Sequence, residues 1–129
     1  MKVFVNGTFD ILHVGHIQLL YYAKSLGDRL IVGIDSDERV KSLKGESRPI
    51  NNEYERFMLL SALKPVNGVI IFDTDQELEE LIQDCDIMVK GSDYINKPII
   101  GDTLCKRLVF FDIIDGYSTT KKIQHTSSR

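Results

Sequence analysis

The strongest constraint on the fold is a set of short segments that are almost wholly apolar rather than alternating. They are residues 2–5 (KVFV), Arg29-Leu-Ile-Val-Gly-Ile34, Gly68-Val-Ile-Ile-Phe72, Ile87-Met-Val89 and Leu108 to Ile114. Each is too short for a buried helix and too continuous for a strand with one face in water. Strands of this kind are covered on both sides. Between them lie segments with helical spacing: Val14 to Leu26, Asp35 to Leu43, Glu53 to Leu63 and Gln76 to Gln83. Strands alternating with helices predict an α/β fold, a Rossmann-like doubly wound parallel sheet of about five strands with helices on both faces. A chain of 129 residues fits one domain, spanning 1–129.

Local punctuation supports this division. Gly27 is placed to close the first helix as its C′ residue. Residues 44–52 (KGESRPINN) form a polar loop, and Pro65 stands just past the end of another helix. Residues 92–107 carry no clear period, and a short helix is expected over Gly101 to Arg107. A last helix is expected from Ser118. The chain shows no internal repeat and no low-complexity linker.

Composition removes several classes of function. The formal net charge is −3, without the basic footprint of a nucleic-acid binder. No apolar run approaches a membrane span, and the N-terminus lacks a signal-peptide pattern, so a cytoplasmic protein is expected. Cys85 and Cys105 form neither a CxxC pair nor a disulfide framework and read as apolar residues. The acidic run Asp73 to Glu80 reads as a solvated helix face rather than a metal cluster.

Parallel sheets bind ligands beyond the carboxyl ends of their strands, near the point where strand order reverses. The segment after the first strand therefore carries most of the functional information: Gly7-Thr8-Phe9-Asp10-Ile11-Leu12-His13-Val14-Gly15-His16. Gly15 permits close backbone approach, and the helix start supplies free N–H groups and a positive dipole end for an anion. Two histidines three apart can face one phosphate. A zinc site is the rival, but HxxH here lacks the glutamate of HExxH.

The motif G-T-F-D-x-x-H-x-G-H resembles the signature of the cytidylyltransferase-like nucleotidyltransferases, relatives of the HIGH-type adenylyl-transferring enzymes. Within that group the chain is most similar to the heptose 1-phosphate adenylyltransferase branch, the adenylyltransferase domain of ADP-heptose synthase. The resemblance runs through LGDRLIVGIDSD (26–37), VKSLKGESRPIN (40–51), ERFMLLSAL (55–63), VKGSDY (89–94) and DGYSTTKKI (115–123). Glycerol-3-phosphate cytidylyltransferase shares the first motif and a G-x-S-T-T ending. It usually carries an arginine before that ending, which this chain lacks.

The resemblance implies transfer of a nucleotidyl group, ATP favoured, to a sugar phosphate such as heptose 1-phosphate, with release of pyrophosphate. Attack is direct and in line. The nucleophile is an already ionised phosphate oxygen, so positioning and charge neutralisation dominate the chemistry. His13, His16 and Lys44 are expected to be catalytic. Gly7, Thr8, Phe9, Asp10, Gly15, Lys90, Gly91, Asp93, Ser118, Thr119 and Thr120 are expected to hold the nucleotide, and Arg48 and Arg56 the second substrate's phosphate. Mg²⁺ is the implied cofactor, with Asp10 as its one candidate protein ligand. A homodimer is implied, with Tyr21 and Tyr22 as packing residues on the first helix. In the heptose pathway a separate sugar kinase would supply the acceptor. CTP with glycerol 3-phosphate, FAD synthetase-like adenylyl transfer to flavin mononucleotide, and a non-catalytic nucleotide-binding module remain alternatives.

Overall fold

The computed structural model describes residues 1–112. Five parallel strands form one sheet: β1 (Lys2–Gly7), β2 (Arg29–Asp35), β3 (Gly68–Phe72), β4 (Ile87–Gly91) and β5 (Arg107–Phe111), in the order β3-β2-β1-β4-β5. The order reverses between β1 and β4, which makes their carboxyl ends the switch point. The helices are α1 (Val14–Ser25), α2 (Asp37–Lys44), α3 (Glu53–Ser61) and α4 (Asp75–Gln83), with one 3₁₀ turn at Ser92–Tyr94.

The continuous apolar strands are explained by two cores. On one face Val3, Val5, Leu30, Val32, Ile34, Ile87 and Val89 pack against Leu19, Leu20 and Ala23 of α1 and Leu60 of α3. On the other, Phe4, Ile31 and Met88 pack with Phe72 and with Leu78 and Ile82 of α4. Successive residues of β1 thus serve opposite cores, as the period of two requires. Gly33 belongs to this packing: a Cβ there would lie 2.7 Å from the Phe4 ring and 3.3 Å from the Phe72 ring.

Several expectations are corrected. β2 continues to Asp35, and Ser36 caps α2 by accepting from the Arg39 N–H, so that helix begins two residues later than expected. No helix forms over Gly101 to Arg107. Residues 101–106 are turns and bends, and Ile99, Cys105 and Leu108 reach the second core individually. Along α1 the buried positions are Gly15, Leu19, Leu20 and Ala23. Tyr22 stacks on Phe111 at 4.8 Å, whereas Tyr21 is half exposed. Gly27 follows α1, but its need is for space: a Cβ would meet the Met1 carbonyl oxygen at 2.5 Å. Residues 113–114 and the expected helix from Ser118 lie outside the described residues. Among the described residues no helix is long and apolar enough to cross a membrane.

Candidate functional site

A cavity of about 1000 Å³ opens at the carboxyl ends of β1, β2 and β4, at the switch point. His13 and His16 both line it. His13 is the N-cap of α1 and His16 is its N3 residue, and together they form a capping box. Serine or threonine with glutamate usually fills these roles. His13 Nδ1 accepts from the Gly15 N–H at 3.0 Å, and His16 Nδ1 accepts from the His13 N–H at 3.3 Å. A ring nitrogen that accepts carries no proton, so each imidazole bears its hydrogen on Nε2. Helix capping thereby sets both tautomers and leaves two Nε2–H donors for a ligand. The rings stack with centroids 3.9 Å apart, and Phe9 meets His16 edge-on at 5.2 Å. Burial, aided by the neighbouring His13, pulls the His16 pKa down to about 4, so at neutral pH its ring is an uncharged donor.

The loop before the histidines is held under tension. Phe9 adopts φ of 50°, the left-handed region that bulky residues avoid. Its ring lies over Gly7, where a Cβ would be 3.1 Å from Phe9. Asp10 clamps this loop to the segment after α2. Its carboxylate accepts from the Asn51 N–H at 2.8 Å and the Ile50 N–H at 3.0 Å, and pairs with Arg48 at 3.4 Å. The Asn51 amide returns a 2.6 Å bond to the Asp10 carbonyl. Burial pushes the Asp10 carboxyl up, but the two backbone N–H groups and the Arg48 guanidinium outweigh it and hold its pKa below the ordinary value. A carboxylate so engaged does not fit the part of a metal ligand. Among the described residues no three His, Cys, Asp or Glu side chains cluster to hold an ion.

Arg56, expected at the second substrate's phosphate, lies beneath the cavity wall rather than on it. It is 1% exposed and does not line the cavity. Its Nη1 donates to the carbonyls of Asp35 at 2.7 Å and Thr8 at 3.0 Å, and its Nε to the Asn51 carbonyl at 2.9 Å. Its Nη2 pairs with Asp37 at 2.8 Å. It joins the ends of β1 and β2 to the start of α3 and is occupied in doing so. Glu53 accepts from the Asp37 N–H at 2.8 Å, at the start of α2.

The remaining cations do reach the cavity. Lys44, the last residue of α2, lines it together with Arg48 and Lys90. Lys90 is only 8% exposed, and its ammonium stands 4.5 Å from the Tyr94 ring centroid. Burial lowers its pKa, against the attraction of Asp35 and Asp93. Gly7, Thr8, Phe9, Asp10, Gly91 and Asp93 also line the cavity. At Gly91 a Cβ would lie 2.6 Å from the Asp93 carboxylate, so glycine lets that turn close. Gly15 is buried in α1 and serves through its N–H to His13. Ser118, Thr119 and Thr120 lie outside the described residues. The Cys85 thiol is pushed up to about 11 by burial, which keeps it protonated and unsuited to nucleophilic attack.

Sequence reasoning missed Asn6, Asp35 and Arg39, all on the cavity wall. Asp35 accepts from the Thr8 hydroxyl at 3.2 Å and from Arg39 at 2.7 Å, and Arg39 also pairs with Asp75 at 2.8 Å. No local motif marks these residues. The usable signal was positional, because β1 and β2 end there.

Comparison with known proteins agrees with this geometry. The cytidylyltransferase-like family matches residues 4–121. The bifunctional protein HldE of Campylobacter jejuni is 50% identical over 123 residues, which cover 95% of this chain and 27% of that protein. HldE of Sulfurimonas denitrificans is 52% identical over 124 residues, covering 95% of this chain and 26% of its own length. The chain therefore spans about a quarter of these relatives. The crystal structure of the lipopolysaccharide core biosynthesis protein from Thermoplasma volcanium superposes with a TM-score of 0.73 at 29% identity, covering 89% of this chain and 98% of that one. A strand–loop–helix carrying HxGH at the switch point of a 3-2-1-4-5 sheet, with a family match over nearly all the chain, places this protein among the cytidylyltransferase-like nucleotidyltransferases.

Proposed function

We propose that the chain transfers the adenylyl group of ATP to a sugar 1-phosphate, heptose 1-phosphate foremost, and releases pyrophosphate. The observation that carries this reading is the pair of capped imidazoles, whose Nε2–H donors border a cavity that Lys44, Arg48 and Lys90 also line. The acceptor's phosphate oxygen attacks the α-phosphorus. That P–O bond forms while the bond to the leaving pyrophosphate breaks, and no proton need be removed from the nucleophile. Preorganised donors aimed at phosphate oxygens are worth most where charge builds in such a step. Thr8 and Phe9 would add backbone N–H groups, and Lys44 and Arg48 would meet the acceptor phosphate or the leaving group. Lys90, Gly91 and Asp93 would border the nucleotide. Ser118, Thr119 and Thr120 would meet the triphosphate, as the family resemblance implies.

Adenine over cytosine rests on the near 50% identity to HldE proteins. Mg²⁺ would enter with the triphosphate, and no step is assigned to it because Asp10 is already engaged. The natural setting would be the cytoplasm, with a sugar kinase supplying the acceptor and the enzyme working as a homodimer. The test is pyrophosphate release with Mg²⁺, with four nucleoside triphosphates on one axis. Heptose 1-phosphate, other sugar 1-phosphates, glycerol 3-phosphate and flavin mononucleotide form the other. ATP with heptose 1-phosphate is the expected bright pair. Turnover confined to CTP and glycerol 3-phosphate would reverse the assignment, and nucleotide binding with no turnover would leave a binding module.

A further inference from the structure

The Asn6 side chain has a polar group that nothing in the described fold uses. Its Oδ1 is buried and accepts no hydrogen bond, although Asn6 sits on the wall of the catalytic cavity. A buried amide oxygen without a partner burdens the free protein, and an apolar group in its place would not. Such a group persists most readily where a ligand completes it.

Its surroundings indicate which ligand. Asn6 stands in β1 opposite Gly33 of β2, so on the β2 side no side chain stands beside it. Strand alternation puts it on the face of Phe4, toward α4, and Leu78, Ile99 and Ile100 give that part of the cavity apolar walls. Asp35, one residue past the last β1–β2 pair, adds a carboxylate already fixed by Thr8 and Arg39. The histidines belong to α1, which packs on the other face. The phosphate-facing donors and the Asn6–Asp35 pair therefore approach the cavity from opposite sides of the sheet. In-line transfer needs two such flanks, because the entering oxygen must lie opposite the leaving pyrophosphate. Asn6 and Asp35 stand at the ends of β1 and β2, where α2 also delivers Lys44, and Lys90 at the end of β4, the strand on the other side of β1, is close enough to feel the Asp35 charge.

We propose that Asn6, with Asp35, seats hydroxyl groups of the acceptor sugar and so helps decide which sugar phosphate is used. This rests on the transfer reading above and names a positioning and specificity role within it. An amide both donates and accepts, which matches a hydroxyl. Sites built to hydrogen-bond a substrate hydroxyl discriminate strongly against ligands that leave their polar groups unpaired.

The test is Asn6→Leu in the full chain, which keeps the branched outline of the side chain and removes the amide. KM for the sugar 1-phosphate should rise about tenfold or more, while KM for ATP stays within about twofold. Thermal stability should hold or rise, because an unsatisfied buried group has gone. A deoxy sugar 1-phosphate lacking the bonded hydroxyl should show little difference between wild type and variant. A rise in KM for ATP alone would move Asn6 to the ribose and overturn the proposal, as would an unchanged acceptor KM or a lowered melting temperature. If the wild type releases no pyrophosphate with any sugar 1-phosphate, the transfer reading has failed instead. Calorimetry with heptose 1-phosphate and glucose 1-phosphate, without ATP, then decides the subsite: weaker binding by Asn6→Leu supports it, and equal binding or no binding by either protein overturns it.

Discussion

At the scale of single residues, each histidine of the HxGH motif caps the helix start through Nδ1 and, in the proposed function, meets a phosphate through Nε2, and the two tasks can be separated. Asparagine is a good N-cap but has no group where Nε2 stands. His13→Asn should therefore keep the melting temperature within a few degrees while lowering kcat by about 10²–10³. His13→Ala should lose both activity and about 1 kcal/mol of stability, as measured by urea denaturation. His16 adds a pH signature. Its folded pKa lies near 4, below the ordinary value of 6.5. The unfolded chain takes up a proton as pH falls through 6.5, and the folded chain does not until about 4. The stability associated with a neutral His16 is complete above pH 6.5 and declines as pH falls toward 4. Urea midpoints should drop across that window, and His16→Gln should flatten the decline. An assigned His16 imidazole resonance titrating near 6.5 would contradict this account.

At the scale of elements, Arg56 shows why a correct motif can mislead. Arg56 opens a helix and matches an arginine near the substrate phosphate in the cytidylyltransferase-like relatives, which suggested a phosphate contact. Instead its bonds to Thr8, Asp35, Asn51 and Asp37 fasten a strand end, a second strand end and two helix starts. Arg56→Met should cost about 3 kcal/mol or more, because buried acceptors lose their donor. Arg48→Ala, half exposed in the same loop region, should leave stability nearly unchanged and raise the acceptor's KM. Gly33→Ala should destabilise by about 1–3 kcal/mol, because the new methyl group meets the Phe4 ring inside a packed core. The strands were legible in the sequence because burial on both faces leaves an unmistakable apolar run. The cap roles of His13 and His16 were not, because capping depends on backbone geometry that HxGH alone does not state. Residues 101–107 misled for a related reason: Cys105 and its neighbour Leu108 are drawn to the second core without any helical period. Asn6, Asp35 and Arg39 come from separate strands and a helix, and only the topology assembles them.

At the scale of the whole molecule, one feature concerns association. Met58, Leu59 and Tyr54 of α3 and Ile70 and Ile71 of the edge strand β3 are exposed. Exposed apolar groups in such number are costly in a protein that stays alone. The homodimer we propose should appear by sedimentation at micromolar concentration, and a monomer there would contradict it.

The buried arginine also bears on how such a scaffold diverges. Its partners at Thr8, Asp35 and Asn51 are main-chain carbonyls, which every amino acid supplies. The joint that aligns the cavity floor is thus indifferent to which side chains those positions carry. Thr8 and Asp35 also line the cavity, so substitutions at these two can retune what it accepts while the arginine's bonds to their carbonyls persist. Heritable change of substrate is thereby uncoupled from loss of architecture, at the places where the chain faces its ligands.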